Sequence, residues 1–574
     1  MNRFFWKLPK DIDQEPAKSL AGALNIPQAG ARFLVSRSYS TADEAKAYLF
    51  PSESIAQDPF TFENMEKAVS LINRAFREKK KILIHGDYDV DGISGTAILY
   101  LFFKGLAVEV LRFLPDRRKD GYGLSKRAVK WAIENSVGLL IAVDCGTSDG
   151  ELVKEAHSHG IDVVICDHHA LPTDKTVEGV VLNPIREGES YPFKHLCGTG
   201  VAFKLIQALE KSGLGGDRKA EDFLDLLALA TVGDLAPLVD ENRHYVQLGL
   251  GKINQMSRPG LRAIRDCARI QGREITARHL AFVVVPRLNA PGRVSNAKPS
   301  LEILCTDDEV EAQKLALILE RENERRRELT DIVKLDVEDM IANMPDSGER
   351  AGYILASEEW DEGVLGIAAA RIVETLGKPA ILMSLMGNVA KGSGRSISGV
   401  NLKEQLDKCR KHLIRYGGHA QAVGLTIETA RIPDFEKDLA VCLKEATGGM
   451  PSKPVLQIDA DISIEECTLE LIEFLRMCGP FGVGNRAPVW RIRGSRVDSG
   501  TGFVGNGHLK LFFHNSNGRS ADAIGFNWNR PFGPSELYGK TVDLAVTIDK
   551  GSYMNQVYPE IRIIDIEHHT EGET

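Results

Sequence analysis

The sequence has no C-x-x-C pair, no complete G-x-x-x-x-G-K-[ST] loop and no uncharged apolar run approaching the roughly 18 residues that span a bilayer. Each absence removes a class. Nine cysteines stand singly at 145, 166, 197, 267, 305, 409, 442, 467 and 478, an odd number that leaves at least one unpaired, so no zinc knuckle is expected and a reducing cytoplasm is. The longest apolar runs, 137–143 and 281–285, read as buried strands, and no membrane is expected. Residues 1–11 mix Arg, Lys and aromatics without the apolar stretch of about 7–15 residues that a secretory leader needs, so export is not expected. Nucleotide-driven translocation is not indicated without the phosphate loop. Solenoid repeats and low-complexity tracts are missing as well.

Surplus positive charge is also lacking. A net charge of −9 argues against whole-surface binding to a polyanion, so any nucleic-acid groove has to be local. Two places qualify. Residues 388–420 hold seven Lys or Arg against Glu404 and Asp407, and Arg486, Arg491, Arg493 and Arg496 form a second cluster. Either run alone is most simply a solvated surface.

What is present is a chain of 574 residues with 43% hydrophobic and 26% charged content, ordinary for a globular protein and long enough for three or four domains. Residues 81–85, 139–143 and 163–165 are short apolar runs ending in polar or acidic residues, and 96–103 and 126–134 between them carry helix-spaced apolar positions. That alternation predicts a parallel α/β sheet, whose ligands sit at the carboxyl ends of its strands. Residues 311–344 predict one long helix without Pro or Gly; its middle, 320–328 (ERENERRRE), has no apolar residue, which suits a helix crossing solvent between domains. Beyond it, strands at 351–355 and 379–383 and a helix at 367–376 predict a second α/β domain. Five strands at 457–464, 489–497, 509–513, 542–548 and 557–564 predict a small barrel of the oligonucleotide-binding (OB) type. The expected organisation is an N-terminal segment (1–50), a parallel-sheet α/β domain (51–310), a connecting helix (311–345), a smaller α/β domain (346–450) and the barrel (453–574).

His85-Gly-Asp87-Tyr-Asp89-Val-Asp91-Gly92 follows the first strand and places three aspartates at alternate positions, which share one face of an extended segment. Like charges that close repel unless a cation neutralises them. Asp144 ends the next strand, Asp167-His168-His169 ends the one after, and Asp234 follows a very apolar helix at 223–230. A single such Asp is most simply a cap or turn. Their collection at the strand ends of one sheet points instead to metal. Oxygen and imidazole ligands without thiolate suit Mn²⁺ or Mg²⁺, and two such ions activate water and hold an in-line phosphoryl transition state, so phosphoester hydrolysis is the chemistry indicated.

Asp167-His168-His169 after a strand is similar to the motif for which the DHH phosphoesterases are named, and His85-x3-Asp89-x-Asp91, Asp144 and Asp234 resemble their other metal motifs in order. Within that superfamily the chain resembles the bacterial single-strand-specific exonucleases, through HGDYDVDGISGTA, Phe113-Leu-Pro-Asp-Arg117, Gly121-Tyr-Gly-Leu, Cys197-Gly-Thr-Gly-Val-Ala-Phe and Pro286-Arg-Leu-Asn-Ala-Pro-Gly-Arg293. Asp116 and Pro291 depart from the usual Asn and Ala of that family. The second half resembles a DHHA1 domain through Trp360-Asp-Glu-Gly-Val-Leu-Gly-Ile-Ala, Gly392-Ser-Gly-Arg-Ser396 and Gly417-Gly-His-Ala420. Pro480-Phe-Gly-Val-Gly-Asn485 is similar to the start of the family's OB-type domain.

The resemblance implies two ions held by His85, Asp87, Asp89, Asp91, Asp144, Asp167, His168 and Asp234, with Asp144 as bridge and Asp144, His168 and His169 at the chemistry. It implies substrate contacts by Arg117, Arg287, Asn289, Arg293, Ser393, Arg395, Gly418 and His419. Arg486, Arg491 and Arg493 would grip the distal strand, with Trp490 either a stacking platform or plain core. The activity implied is 5′-to-3′ digestion of single-stranded DNA to mononucleotides in DNA repair and recombination, by a monomer, with single-strand-binding protein and a helicase as partners. The alternative substrates, pyrophosphate, cyclic dinucleotides and very short oligonucleotides, are disfavoured by the long helix and the barrel.

Overall fold

A computed structural model describes residues 3–9, 14–170, 179–345, 347–448, 454–505, 507–528, 533–554 and 556–568. The expected domain starts at 346 and 453 fall outside these residues. Among the described residues no helix is long and apolar enough to cross a membrane.

β1 (Phe5–Lys7) opens the chain and is followed by helices Gln14–Leu24, Gln28–Ser36 and Ala42–Leu49. The last begins in a capping box: Thr41 Oγ1 accepts from Glu44 N, and the Glu44 carboxylate accepts from Thr41 N. The next unit is an all-parallel sheet of β2 (Lys81–Gly86), β3 (Val110–Phe113), β4 (Val137–Val143), β5 (Asp162–Cys166) and β6 (Val180–Leu182), in the order β3-β2-β4-β5-β6. Near-continuous apolar strands form it because helices cover both faces. The order reverses between β2 and β4. That switch point opens a crevice at the strands' carboxyl ends, where β2, β4 and β5 deliver the Asp- and His-rich motifs.

Residues 281–285, expected as a buried strand, are helical instead: Leu280–Val284 forms a π-type turn that runs into the helix Val285–Val294. A short apolar run carries no periodicity that separates strand from buried helix.

The long helix spans Glu309–Ala342, and its middle does not cross solvent as expected. Its buried stripe is Ala312, Leu315, Ala316, Leu319, Asn323, Arg326, Thr330, Val333 and Val337, so the 3–4 spacing continues through the polar centre. The first apolar part joins the core of the parallel-sheet domain, and Val333 and Val337 join that of the following domain with Tyr353 and Trp360. Trp360 Nε1 donates to Asp336 of this helix at 2.6 Å.

That following domain is a five-stranded sheet, β7 (Tyr353–Ser357), β8 (Ala380–Met386), β9 (Val389–Arg395), β10 (Leu413–His419) and β11 (Ala422–Glu428), in the order β10-β11-β9-β8-β7, parallel only between β7 and β8. The Gly392-Ser-Gly-Arg395 and Gly417-Gly-His419 stretches thus lie on strands β9 and β10.

The C-terminal unit contains β12 (Val455–Gln457), β13 (Ala460–Asp461), β14 (Trp490–Val497), β15 (Gly502–Val504), β16 (His508–His514), β17 (Ser520–Gly525), β18 (Thr541–Tyr553) and β19 (Gln556–His568). Seven strands, not five, run in the order β13-β14-β18-β19-β17-β16-β15, and a β14–β16 pairing closes the barrel. β1 pairs in parallel with β12, and Ala17, Leu20, Phe33 and Leu34 share the barrel's core with Trp490 and Phe513, so the N-terminal segment belongs to this unit. Trp490 is fully buried with its ring 6.3 Å from Phe33; it is core and not a stacking platform.

Arg243 pins this unit to the parallel-sheet domain. Buried over the Tyr48 ring at 4.3 Å, it donates to the carbonyls of Met477, Cys478 and Gly479, the unsatisfied C-terminal end of the helix Leu469–Cys478. Alongside, Leu238 N donates to Val483 O at 2.6 Å.

Phe33→Ala is expected to destabilise the barrel unit by about 3–5 kcal/mol through loss of a buried ring. Urea unfolding followed by tryptophan fluorescence checks it; an unchanged midpoint would place the N-terminal segment outside that core.

Candidate metal centre

Three local devices converge the acids. After β2 the chain turns directly into the helix Val90–Phe103, and Asp89 caps it, accepting from Asp91 N (3.0 Å). A Cβ on Gly92 would lie 2.2 Å from Asp87 N, so only glycine lets the loop fold back this tightly. Asp91 accepts from Gly198 N (2.7 Å) and Thr199 N (2.8 Å), which places its carboxylate at the positive end of the helix Gly198–Lys211. Asp144 ends β4 in the left-handed conformation, φ +60°, and a Cβ on Gly198 would meet its Cβ at 2.6 Å.

Three sets of side chains result, each with one ligand atom per residue and all those atoms within 4.8 Å of one another: Asp87, Asp89 and Asp144; Asp91, His168 and Asp234; Asp144, His168 and His169. Asp144 belongs to two of them. His168 Nε2 lies 3.2 Å from Asp144 Oδ1 and 3.8 Å from Asp91 Oδ2, and its Nδ1 lies 3.9 Å from Asp234 Oδ2. Asp87 Oδ1, Asp144 Oδ1, His168 Nε2 and His85 Nε2 are enclosed without a hydrogen-bond partner. Orphaned anionic oxygens and imidazole nitrogens facing one another are what divalent cations satisfy, and the oxygen-rich, thiolate-free set fits Mn²⁺ or Mg²⁺.

The electrostatics agree. Burial, followed by repulsion from neighbouring aspartates, raises the carboxyls of Asp87 and Asp144 far above the usual range, raises Asp89, and pushes Asp234 up to about 9. Burial lowers His85 to about 4 and lowers His168, which keeps both imidazoles neutral and able to act as ligands.

Asp167 is a correction. Expected as a metal ligand, it is in none of the three sets; its Oδ2 accepts from Thr147 N, and its Oδ1 accepts from the backbone of His168 and His169 and from His169 Nδ1 at 2.8 Å. These bonds outweigh its burial and hold Asp167 at about 2, while in return His169 is raised despite its own burial. His85 also stands outside the sets, its Nδ1 3.4 Å from Cys145 Sγ and its ring stacked on Phe113.

Two of the expected substrate contacts are engaged elsewhere. Arg287 pairs through two nitrogens with Glu320 of the long helix (2.6 and 3.1 Å), and Asn289 Oδ1 accepts from Val90 N at 2.7 Å, bracing the turn that carries Asp89. Arg486 and Arg491 are likewise neutralised by Asp459 and Asp461. Arg117, Arg293 and Arg395 have no carboxylate within ion-pair distance among the described residues. Burial and then the charge of Arg117 depress both Arg293, to about 10, and Arg395. Arg395 and Ser393 pack over Gly366 at the first turn of the helix Leu365–Leu376. Gly418, at φ +127°, and exposed His419 end β10 at the turn into β11. Tyr122, Thr147 and Thr199 were not singled out as site residues. The Tyr122 hydroxyl lies 2.8 Å from the His169 ring, and only a glycine-led helix start, Gly198-Thr-Gly, signals an anion partner in the sequence.

A parallel sheet with carboxylates and imidazoles gathered at its switch point defines a two-metal phosphoesterase of the DHH class. Family models agree: "DHH family, N-terminal domain" matches residues 81–231, "DHHA1 domain" 350–445 and "RecJ OB domain" 458–565. The chain is 31% identical to the single-stranded-DNA-specific exonuclease RecJ of Bacillus subtilis (98% of this chain, 70% of that protein) and 32% to that of Escherichia coli (84% and 87%). It is also similar to the crystal structure of RecJ in complex with Mn²⁺ from Thermus thermophilus, with TM-score 0.83 and 26% identity over 99% of this chain and 80% of that one. The chain belongs to the RecJ family.

Gly198→Ala is expected to weaken Mn²⁺ binding at least about tenfold by displacing Asp144, as read by calorimetry. A pH effect follows from Asp234. Its folded, metal-free pKa of about 9 exceeds the roughly 4 of an unfolded aspartate, so its contribution to stability is complete below about pH 4 and is lost as pH rises towards 9. The Tm of metal-stripped protein relative to Asp234→Asn is therefore expected to fall as pH rises through this window, and Mn²⁺ to reverse the trend.

Proposed function

We propose that the protein is an exonuclease that degrades single-stranded DNA from its 5′ end to mononucleotides by hydrolysis, using two divalent cations. The observation that carries this reading is the chaining of the ligand sets, Asp144 standing with Asp87 and Asp89 in one and with His168 in another, and His168 standing with Asp91 and Asp234 in the third, with orphaned atoms among them. Asp87, Asp89 and Asp144 would hold one ion, and Asp91, Asp144, His168 and Asp234 the other, with His85 close to the first. Bound in such a cage, a pair of Mn²⁺ or Mg²⁺ ions supplies activated water and neutralises charge on the phosphoryl oxygens.

The remaining work falls to side chains. Asp167 holds the His169 ring at Nδ1 and, against the effect of burial, favours its protonated form, so that His169 donates to a phosphate oxygen. Arg117, Arg293 and Arg395, unpaired and mutually repulsive, gain an anion when a phosphate arrives; Ser393 and the first turn of the helix Leu365–Leu376 add donors for a terminal 5′ phosphate. His419 would take the adjacent phosphate. Single-strand-binding protein and a helicase as partners, a monomeric state, the cytoplasm and a role in repair and recombination belong to the same reading.

End-labelled strands test it. With Mn²⁺, 5′-phosphorylated single-stranded DNA is expected to yield mononucleotides while blunt duplex, RNA and a dinucleotide react far more slowly, and Asp144→Ala is expected to lose roughly a thousandfold in rate. Release from the 3′ end, or equal activity on the dinucleotide, would replace this reading.

A further inference from the structure

Midway along the long helix the buried stripe turns polar, at Asn323, Arg326 and Thr330. Thr330 is satisfied, its hydroxyl donating to Arg326 O at 2.7 Å. The other two are not. Arg326 Nη2 donates to Asn323 Oδ1 at 2.7 Å, which uses the amide's acceptor and leaves Arg326 Nε and Asn323 Nδ2 enclosed without one. Asn323 is 0% and Arg326 9% exposed. One turn earlier the same helix buries Arg287 against Glu320, a carboxylate. For Arg326 it offers only a neutral amide, and no carboxylate of the described residues lies within ion-pair distance.

Burying a guanidinium and two donors in this state is unfavourable, and an anion arriving from outside would satisfy both the charge and the donors. The surroundings point to the same ligand. Arg326 feels the like charges of Arg327, Arg371 and Arg287 against the single carboxylate of Asp331, and its own charge reaches Arg293, which in turn acts on Asp89 of the metal centre. Arg293 sits where the two domains meet, its carbonyl 2.1 Å from where a Cβ on Gly363 would be. Asn323 and Arg326 lie on the buried stripe between Leu319, in the core of the parallel-sheet domain, and Val333, in that of the following domain, so the orphaned donors face the junction at which Arg293 also sits.

We infer that Asn323 and Arg326 form a phosphodiester-binding step on the long helix, taking one backbone phosphate of the substrate strand. This rests on the exonuclease reading. A guanidinium Nε–H beside a carboxamide N–H₂ presents parallel donors to phosphate oxygens, and a neutral partner leaves the positive charge available to them.

The test uses the full-length protein with Mn²⁺ and 5′-phosphorylated strands in which a single linkage, moved one position at a time, is a neutral methylphosphonate. Turnover of the unmodified strand by the wild type tests the exonuclease reading and is measured first. Arg326→Gln and Asn323→Ala are then expected to lower kcat/KM roughly 10- to 100-fold on the normal strand, largely through KM. With the methylphosphonate at one particular linkage, variant and wild type should converge to within about threefold, since the contact is already absent. Arg326→Lys, which keeps the charge and the fold, should show a smaller loss erased at that same linkage. Losses that stay additive at every linkage, or variants as active as the wild type, overturn the proposal.

Discussion

Mutual repulsion among Asp87, Asp89, Asp91, Asp144 and Asp234, gathered in one mostly buried pocket, is the constraint around which the parallel-sheet domain is organised. Two carboxylates about 4 Å apart repel by about 4 kcal/mol at an effective dielectric of 20, and several such pairs coexist here. The chain offsets this locally wherever it can. The start of the helix Val90–Phe103 receives Asp89, the start of the helix Gly198–Lys211 receives Asp91, and glycines at 92 and 198 clear the space that close approach needs. Asp87, Asp144 and Asp234 have no such partner. Burial first and the neighbouring aspartates second raise their pKa values, and bound cations would offset both.

The rest of the molecule is arranged about that pocket. The long helix belongs to two hydrophobic cores, one at each end, and so fixes the distance between the metal ligands and the strand-rich domain carrying Ser393 and Arg395. Arg118 reaches Asp361 across the same junction at 2.8 Å. On the other side, Arg243 and the loop at 482–484 hold the barrel against residues 237–243, close in sequence to Asp234. Domain placement and ligand placement therefore share residues.

Much of the centre was legible in the sequence because alternate acids after an apolar strand, and an Asp-His-His after another, can share an environment only at the strand ends of one sheet. What could not be read was the partner of each group. Asp167 and Asp144 look equivalent as strand-end acids, yet the backbone donors of Thr147, His168 and His169 occupy the first and leave an oxygen of the second bare. Arg287 lies in a basic motif that resembles phosphate contacts, but Glu320 is 33 residues away and announces nothing locally. Periodicity failed at 281–285, where five apolar residues are too few to set a period, and at 320–328, where a buried polar stripe has no hydrophobic signature. Trp490 reads as an exposed aromatic among arginines until the N-terminal helices, over 450 residues earlier, are seen to cover it.

The most direct measurement is diffraction from a crystal grown with Mn²⁺, with data collected at the manganese absorption edge. Two anomalous peaks are expected on either side of Asp144, one among Asp87 and Asp89 and the other among Asp91, His168 and Asp234. A single peak, or none at saturating Mn²⁺, would contradict a two-ion centre.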